Sequence, residues 1–294
     1  MAGKFILHVL GTASAKPTLK RASSAQLLQA AECLFLIDCS EGTQERILHQ
    51  NMKIREWTKN SGVQAVKRLS KSTMDAIFIS HIHGDHMFGL FPLLNTMALS
   101  GRTKPLKIFG PNALGSVINF YSSFWGAKDT FKIDFVPLKM KKPETVLELS
   151  GVTVQAFPLN HGVDTFGFIF REDEHCTFKK EPYRPRSFAY CSDTAPFPEL
   201  EEWVKGVDLL YHEATYLKSD FRKAHDRFHS TTADAAACAA GACAGRLVVG
   251  HYSSSLKEED IHSVLEAELR EVFPNSSALD DGDIIEIPMQ TYNK

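Results

Sequence analysis

Three histidines and an aspartate crowd into His81-Ile82-His83-Gly84-Asp85-His86, directly after the apolar run Asp75-Ala76-Ile77-Phe78-Ile79 and Ser80. The run reads as a buried strand. Four such side chains converge only if the chain turns tightly past the strand end, and Gly84 supplies the backbone freedom for that turn. Neutral imidazoles meeting a carboxylate are the donor set of a transition metal, zinc foremost. The bland alternative, a polar loop with chance histidines, is the poorer account of so dense a cluster.

Four more residues end apolar runs in the same way. His161 follows Val154 to Leu159, Asp193 follows Phe188-Ala189-Tyr190-Cys191, His251 follows Leu247-Val248-Val249-Gly250, and Asp38 follows Leu34-Phe35-Leu36-Ile37. A ligand-capable side chain at a strand end is how a site is built on a sheet. Taken singly, each strand-end Asp is more often a turn or cap residue. Together they give a workable ligand count. His81, His83 and His161 can hold one metal, Asp85, His86 and His251 a second, with Asp193 placed to bridge them. Two metals so held suit hydrolysis of a phosphate ester.

Elsewhere the chain reads as strands and turns with interleaved helices. Strands are expected at Lys4 to Leu10, Ala25 to Ala30, Cys33 to Ile37, Leu106 to Phe109, Thr153 to Phe157, Phe166 to Phe170, Ser187 to Cys191, Asp208 to Tyr211 and Arg246 to Gly250. Helices are expected at Thr43 to His49, Phe88 to Ser100, Thr231 to Ala244 and Glu258 to Phe273. Two β-rich halves with helices between them predict an α/β fold layered as an αββα four-layer sandwich rather than one parallel sheet. With no repeat and no low-complexity linker, residues 1–294 form one expected domain. The polar, basic span 53–72 reads as a surface insertion or helix pair.

A formal charge of -2 over 294 residues gives no general pull toward polyanions, so any nucleic-acid contact rests on local basic patches. The six cysteines form no CxxC pair and read as small core residues of a reducing compartment. Phe5-Ile6-Leu7 is too short and too soon broken by His8 and Gly11 for a secretory signal, and no stretch is long enough to span a membrane. A cytoplasmic location is the expectation.

The residues of the metal motif, with His161, Asp193 and His251 in this order, resemble the metallo-β-lactamase superfamily. Further motifs narrow the resemblance. His212-Glu213-Ala214-Thr215 followed by His229-Ser230-Thr231 is similar to the paired signature of ribonuclease Z, the tRNA 3′-processing endonuclease family. So are Leu10-Gly11-Thr12, Pro17 and Arg21-Ala22-Ser23-Ser24, the stretch Asp38 to Gln44, and Phe88-Gly89-Leu90. The resemblance implies a metallo-β-lactamase-like αββα sandwich, two Zn2+ per chain with Mn2+ as a substitute, and the seven ligands His81, His83, Asp85, His86, His161, Asp193 and His251. Asp85 would also orient or deprotonate the attacking water. Glu213 and His229 would protonate the departing 3′ oxygen, and Asp38 would orient a ligand histidine. For His229 the residues alone leave a helix N-terminal surface role equally open.

The implied partners are precursor tRNA and a second copy of the chain in a homodimer, with neither DNA nor a membrane among them. The family's long tRNA-gripping arm is shortened here to residues 171–186. Arg171, Lys179, Lys180, Arg184 and Arg186, with Phe178 and Tyr183, make it either a reduced RNA-contacting loop or a solvated hairpin. Lys16, Lys20 and Arg21 would face the acceptor end of the RNA. Two rival functions stand beside this one. Another phosphodiesterase of the same fold is disfavoured by the Glu213 and His229 motifs. A non-catalytic RNA-binding scaffold is disfavoured by the complete ligand set.

Overall fold

A computed structural model describes residues 4–61, 69–70, 73–124, 130–173 and 183–291. The chain opens with an antiparallel meander of β1 (Lys4–Gly11), β2 (Ala25–Ala31) and β3 (Cys33–Ile37). Helix α1 (Thr43–Ser61) returns the chain to β4 (Ala76–Phe78), parallel to β3. The short α2 (Gly84–Met87) and α3 (Leu90–Leu99) precede β5 (Leu106–Pro111), and α4 (Asn112–Phe124) precedes β6 (Ile133–Leu138).

The second half begins with the antiparallel set β7 (Glu144–Leu149), β8 (Val152–Leu159) and β9 (Thr165–Glu172). After the two-residue β10 (Tyr183–Arg184) come β11 (Ser187–Cys191), α5 (Glu199–Trp203) and β12 (Leu209–Glu213). Then follow α6 (Phe221–His225), α7 (Thr232–Gly241) and β13 (Leu247–Gly250). The chain from α8 (Glu258–Asp260) to α9 (Glu266–Val272) is continuous through a π-helical turn, Ile261–Leu265. Short strands β14 (Ser276–Ala278), β15 (Ile284–Glu286) and β16 (Gln290–Thr291) finish the described chain.

The strands make two seven-stranded sheets, ordered β15-β1-β2-β3-β4-β5-β6 and β14-β13-β12-β11-β9-β8-β7, with β10 and β16 paired apart from them. Alternation along each strand decides what faces what. Phe5, Leu7, Val9, Phe35 and Phe78 meet Val154, Phe168, Phe170 and Phe188 between the sheets. The Phe78 ring stacks on Phe109 at 4.8 Å and meets Phe168 at 5.2 Å, joining the two sheets. The other face of the first sheet (Ile6, Leu36, Ile77) is covered by Ile47 and Ile54 of α1 and Leu93 and Met97 of α3. Ala235 and Ala239 of α7 and Leu269 of α9 cover the second sheet at Ala189, Leu210 and Val249. This is the αββα sandwich that the sequence predicts.

Three differences have local causes. The helix expected to stop at His49 runs on to Ser61, because Ile54 continues its buried stripe, so 53–61 belongs to α1. Lys67, Arg68 and Lys71 lie outside the described residues. The helix expected from Phe88 to Ser100 is α3, which starts two residues later at Leu90, and the metal motif before it forms the unexpected short α2. Helix α4 and strands β6 and β7 were not expected, since β6 and β7 are only partly buried and lack a continuous apolar run.

Candidate metal centre

Because β3 and β4 are parallel, and β11, β12 and β13 are parallel, their carboxyl ends line up at one edge of the sandwich. That edge carries Asp38, His81, Asp193, Glu213 and His251, each at or just past a strand end. His161 arrives from β8, two residues beyond its end. The backbone is strained at two of these points: Asp38 and His251 take φ of +56° and +65°, a region that L-residues seldom adopt.

Donor atoms of His81, His83, His161 and Asp193 gather within 4.8 Å of one another, and those of Asp85, His86 and His251 do the same. The Asp193 carboxylate lies between the two groups. Its Oδ2 is 3.7 Å from His81 Nε2 and 3.9 Å from His161 Nε2. Its Oδ1 is 3.4 Å from His86 Nε2 and 3.2 Å from His251 Nε2. Asp85 Oδ2 is 3.4 Å from both His86 and His251 Nε2. All seven residues named from the sequence therefore share one edge.

The opposite nitrogen of four of these imidazoles is tied down. His86 Nδ1 is 2.8 Å from Asp38 Oδ2, so Nδ1 carries a proton there and Nε2 is the nitrogen turned to where a metal would sit. His161 Nδ1 likewise donates to the Phe228 carbonyl at 2.9 Å. Phe228 itself takes φ of +57°, which turns that carbonyl toward the histidine. His251 Nδ1 lies 2.8 Å from Thr215 Oγ1, whose hydroxyl donates to Glu213 Oε2 at 2.6 Å. His81 Nδ1 lies 3.0 Å from Ser80 Oγ, whose hydroxyl donates to Asp38 Oδ2 at 3.0 Å. Asp38 also accepts from Ser80 N and from Tyr190 OH, at 2.7 and 2.8 Å.

The donor set fits a metal on its own evidence. Asp193 Oδ1 is buried and has no hydrogen-bond partner among the described residues, although two imidazole nitrogens flank it. A buried carboxylate oxygen left so is costly unless a cation meets it. Burial, with His86, His161 and His83 nearby, holds His81 well below the ordinary imidazole value, leaving it neutral as a ligand must be. Burial also works against a charge on His86, but Asp193, Asp38 and Asp85 outweigh it and raise that group. Their field makes the pocket a place for positive charge.

Glu213 and His229 stand beside this cluster. Glu213 is fully buried and accepts from Thr194 N and Thr215 N, each at 3.0 Å, and from His229 Nδ1 at 2.8 Å. Burial opposes the charge on both partners, yet each stabilises the other's charged form, lowering Glu213 and raising His229. His229 Nδ1 is 4.0 Å from Asp193 Oδ2, and Nε2 makes no hydrogen bond among the described residues. The ring lines a cleft of about 840 Å³ together with His83, Asp85, Asp193 and His251. The helix-cap reading of this segment belongs to Thr231, which caps α7 with Asp234 in a capping box.

Several expected RNA contacts are engaged elsewhere. Arg21 is 4% exposed and bonded to Glu258 and Asp280, at 2.7 and 2.5 Å, so it pins the opening loop to the body. Arg186 is buried against Glu172 at 2.6 Å, and Arg184 pairs with Asp208. Pairing with carboxylates, and for Arg186 burial as well, engages these two in the body of the fold rather than leaving them as free arm cations. Phe178, Lys179 and Lys180 lie outside the described residues, as does the Tyr183 side chain. Ser80, Tyr190 and Phe228, which position the histidines, were not singled out from the sequence.

The model of a Beta-lactamase superfamily domain matches residues 34–252, so the fold and this edge are those of that superfamily. Similarity over nearly the whole chain narrows the class. Ribonuclease Z of Bacteroides fragilis is 34% identical, over 93% of this chain and 96% of its own. Ribonuclease Z of Bacteroides thetaiotaomicron is also 34% identical, over 93% and 92%. The short form of human tRNase Z superposes with a TM-score of 0.74 at 26% identity, covering 96% of this chain and 99% of that one. The chain belongs to the ribonuclease Z family.

Proposed function

We propose that this chain is the endoribonuclease that removes the 3′ trailer from precursor tRNA, leaving a 3′-hydroxyl on the tRNA and a 5′-phosphate on the trailer. The observation that carries the reading is the Glu213–His229 pair set against the two imidazole-carboxylate groups. His81, His83 and His161 would hold one cation, Asp85, His86 and His251 the other, with Asp193 shared. Two zinc ions there, or manganese in their place, would activate water and neutralise the charge that builds on the phosphate.

The remaining work falls to the protein. Asp85 lines the cleft and orients the attacking water through its carboxylate. Glu213 holds His229 through Nδ1, so the ring delivers a proton from Nε2 to the departing 3′ oxygen, which would otherwise leave as an alkoxide. Asp38 and Thr215 keep His86 and His251 turned toward the cleft. Phe120 and Phe124, 53% and 70% exposed on α4, support the homodimer implied by the family, which sedimentation tests. Among the described residues no helix is long and apolar enough to cross a membrane. Cys33, Cys39, Cys191 and Cys238, free and buried, support action in the reducing cytoplasm.

Incubation of the protein with a precursor tRNA carrying a 3′ trailer tests the reading. Trailer release that depends on zinc or manganese is the expected result. An intact precursor in the presence of either metal contradicts it.

A further inference from the structure

Phe88 stands two residues past His86 of the metal motif, yet it is 64% exposed. Its backbone N–H donates to Gly84 O at 3.0 Å, which closes the turn of α2. A Cβ placed on Gly84 would meet three atoms of the Phe88 ring at 2.4 to 2.8 Å. The ring therefore lies against the bare glycine backbone, between His83 and Asp85 in the chain. Its open side lines the cleft that also holds Asp85 and His229.

Arg227 lines the same cleft. Its Nη1 makes one hydrogen bond, 3.5 Å to Tyr216 OH, and it has no carboxylate partner among the described residues. The neighbouring arginines differ: Arg21 is held by Glu258 and Asp280, and Arg46 lies 3.7 Å from Asp281. Arg227 is anchored by its own backbone, whose N–H donates to Ala224 O at 3.0 Å just before His229. An available cation and an open aromatic ring thus border one catalytic cleft.

We propose that Phe88 and Arg227 form a nucleotide subsite at the point of cleavage. Phe88 stacks the base flanking the scissile phosphate, and Arg227 binds a phosphate beside it. The proposal rests on the RNA-cleaving reading above. Packing on Gly84 fixes the ring, so stacking orders little that was free beforehand. Every base has a π-face, so such a platform accepts any base while still setting where the chain lies. An aliphatic side chain would cover Gly84 equally well but would offer no flat face.

The test compares kcat/KM for wild type, Phe88→Leu and Phe88→Trp on precursor tRNA and on precursors with an abasic residue on either side of the cut. Phe88→Leu should lose on the order of tenfold on the intact precursor. It should lose nothing further on the precursor whose stacking base is absent, and Phe88→Trp should cleave at nearly the wild-type rate. Equal losses by Phe88→Leu on intact and abasic precursors would show that the ring only shapes the turn, and would overturn the subsite. Arg227→Gln should reduce the slope of log(kcat/KM) against log[salt] by about one; an unchanged slope would remove Arg227 from it. Wild type leaving every precursor intact would overturn the tRNA reading, and the subsite with it.

Discussion

On the proposed reading, the residues that would hold cations are distinct from the pair that would move a proton. His229 sits 4.0 Å from Asp193, but its Nδ1 is committed to Glu213 at 2.8 Å. Replacing it by alanine should lower kcat by roughly 100- to 10,000-fold, the range for loss of a general acid. Metal content should stay at the wild-type value, read by elemental analysis of the same sample. Loss of metal in His229→Ala would mean that His229 is a ligand. The seven candidate ligands were legible because they follow apolar runs, four of them crowded behind one run, a pattern visible in one dimension. Of the residues that orient them, Asp38 was legible in the same way, at the end of β3, whereas Ser80 and Tyr190 were not. Tyr190 acts through its hydroxyl on Asp38, a partner brought close only by the packing of the two sheets, and Ser80 on the same carboxylate from the neighbouring strand end; a lone hydroxyl residue carries no signal of its own.

The motif Phe88-Gly89-Leu90 acquires a physical reason at the level of elements. Gly89 opens α3 where that helix meets the loop after β3, and its N–H donates to Cys39 O at 2.8 Å. A Cβ there would lie 1.9 Å from Ser40 O, a backbone atom that cannot swing aside. Gly89→Ala should therefore destabilise the fold by about 1–3 kcal/mol, as overpacking does, measured by urea unfolding. A change below about 0.5 kcal/mol, the size of an ordinary surface substitution, would show that α3 can retreat from the loop. Element type was legible wherever a strand was wholly buried, as in β3 and β11. It failed for β6 and β7, whose exposed and half-buried residues break the apolar run. The end of α1 was missed for another reason: its basic residues masked a buried stripe that continues to Ile54.

Stability of the whole sandwich should carry an acid-side signature from His8, buried on β1 beneath α1. The ring contacts Gln29 Oε1 and Gln50 Nε2, at 3.1 and 3.4 Å, and burial lowers its pKa to about 4, against the Gln29 hydrogen bond. The unfolded chain takes up this proton near pH 6.5 and the folded chain does not until about pH 4. The contribution is whole above pH 6.5 and is lost as the pH falls through that window, by about 3 kcal/mol in all. Urea unfolding of wild type and His8→Gln at pH 7 and pH 4 should show that much less acid loss in the variant; equal losses would contradict it. Long-range charge pairing was the least legible feature at this scale. Arg21 and Glu258 are 237 positions apart, and nothing local told a buried strut from an RNA contact.

The strand ends are proposed to assemble a trailer-cutting centre, and the termini it would leave test that reading most directly. Precursor tRNA cut by the metal-loaded protein should be sequenced at single-nucleotide resolution, and both new ends identified chemically. The account predicts one cut next to the discriminator, with a 3′-hydroxyl on the tRNA and a 5′-phosphate on the trailer. Scattered cuts, or a 3′-phosphate on the tRNA, would contradict it.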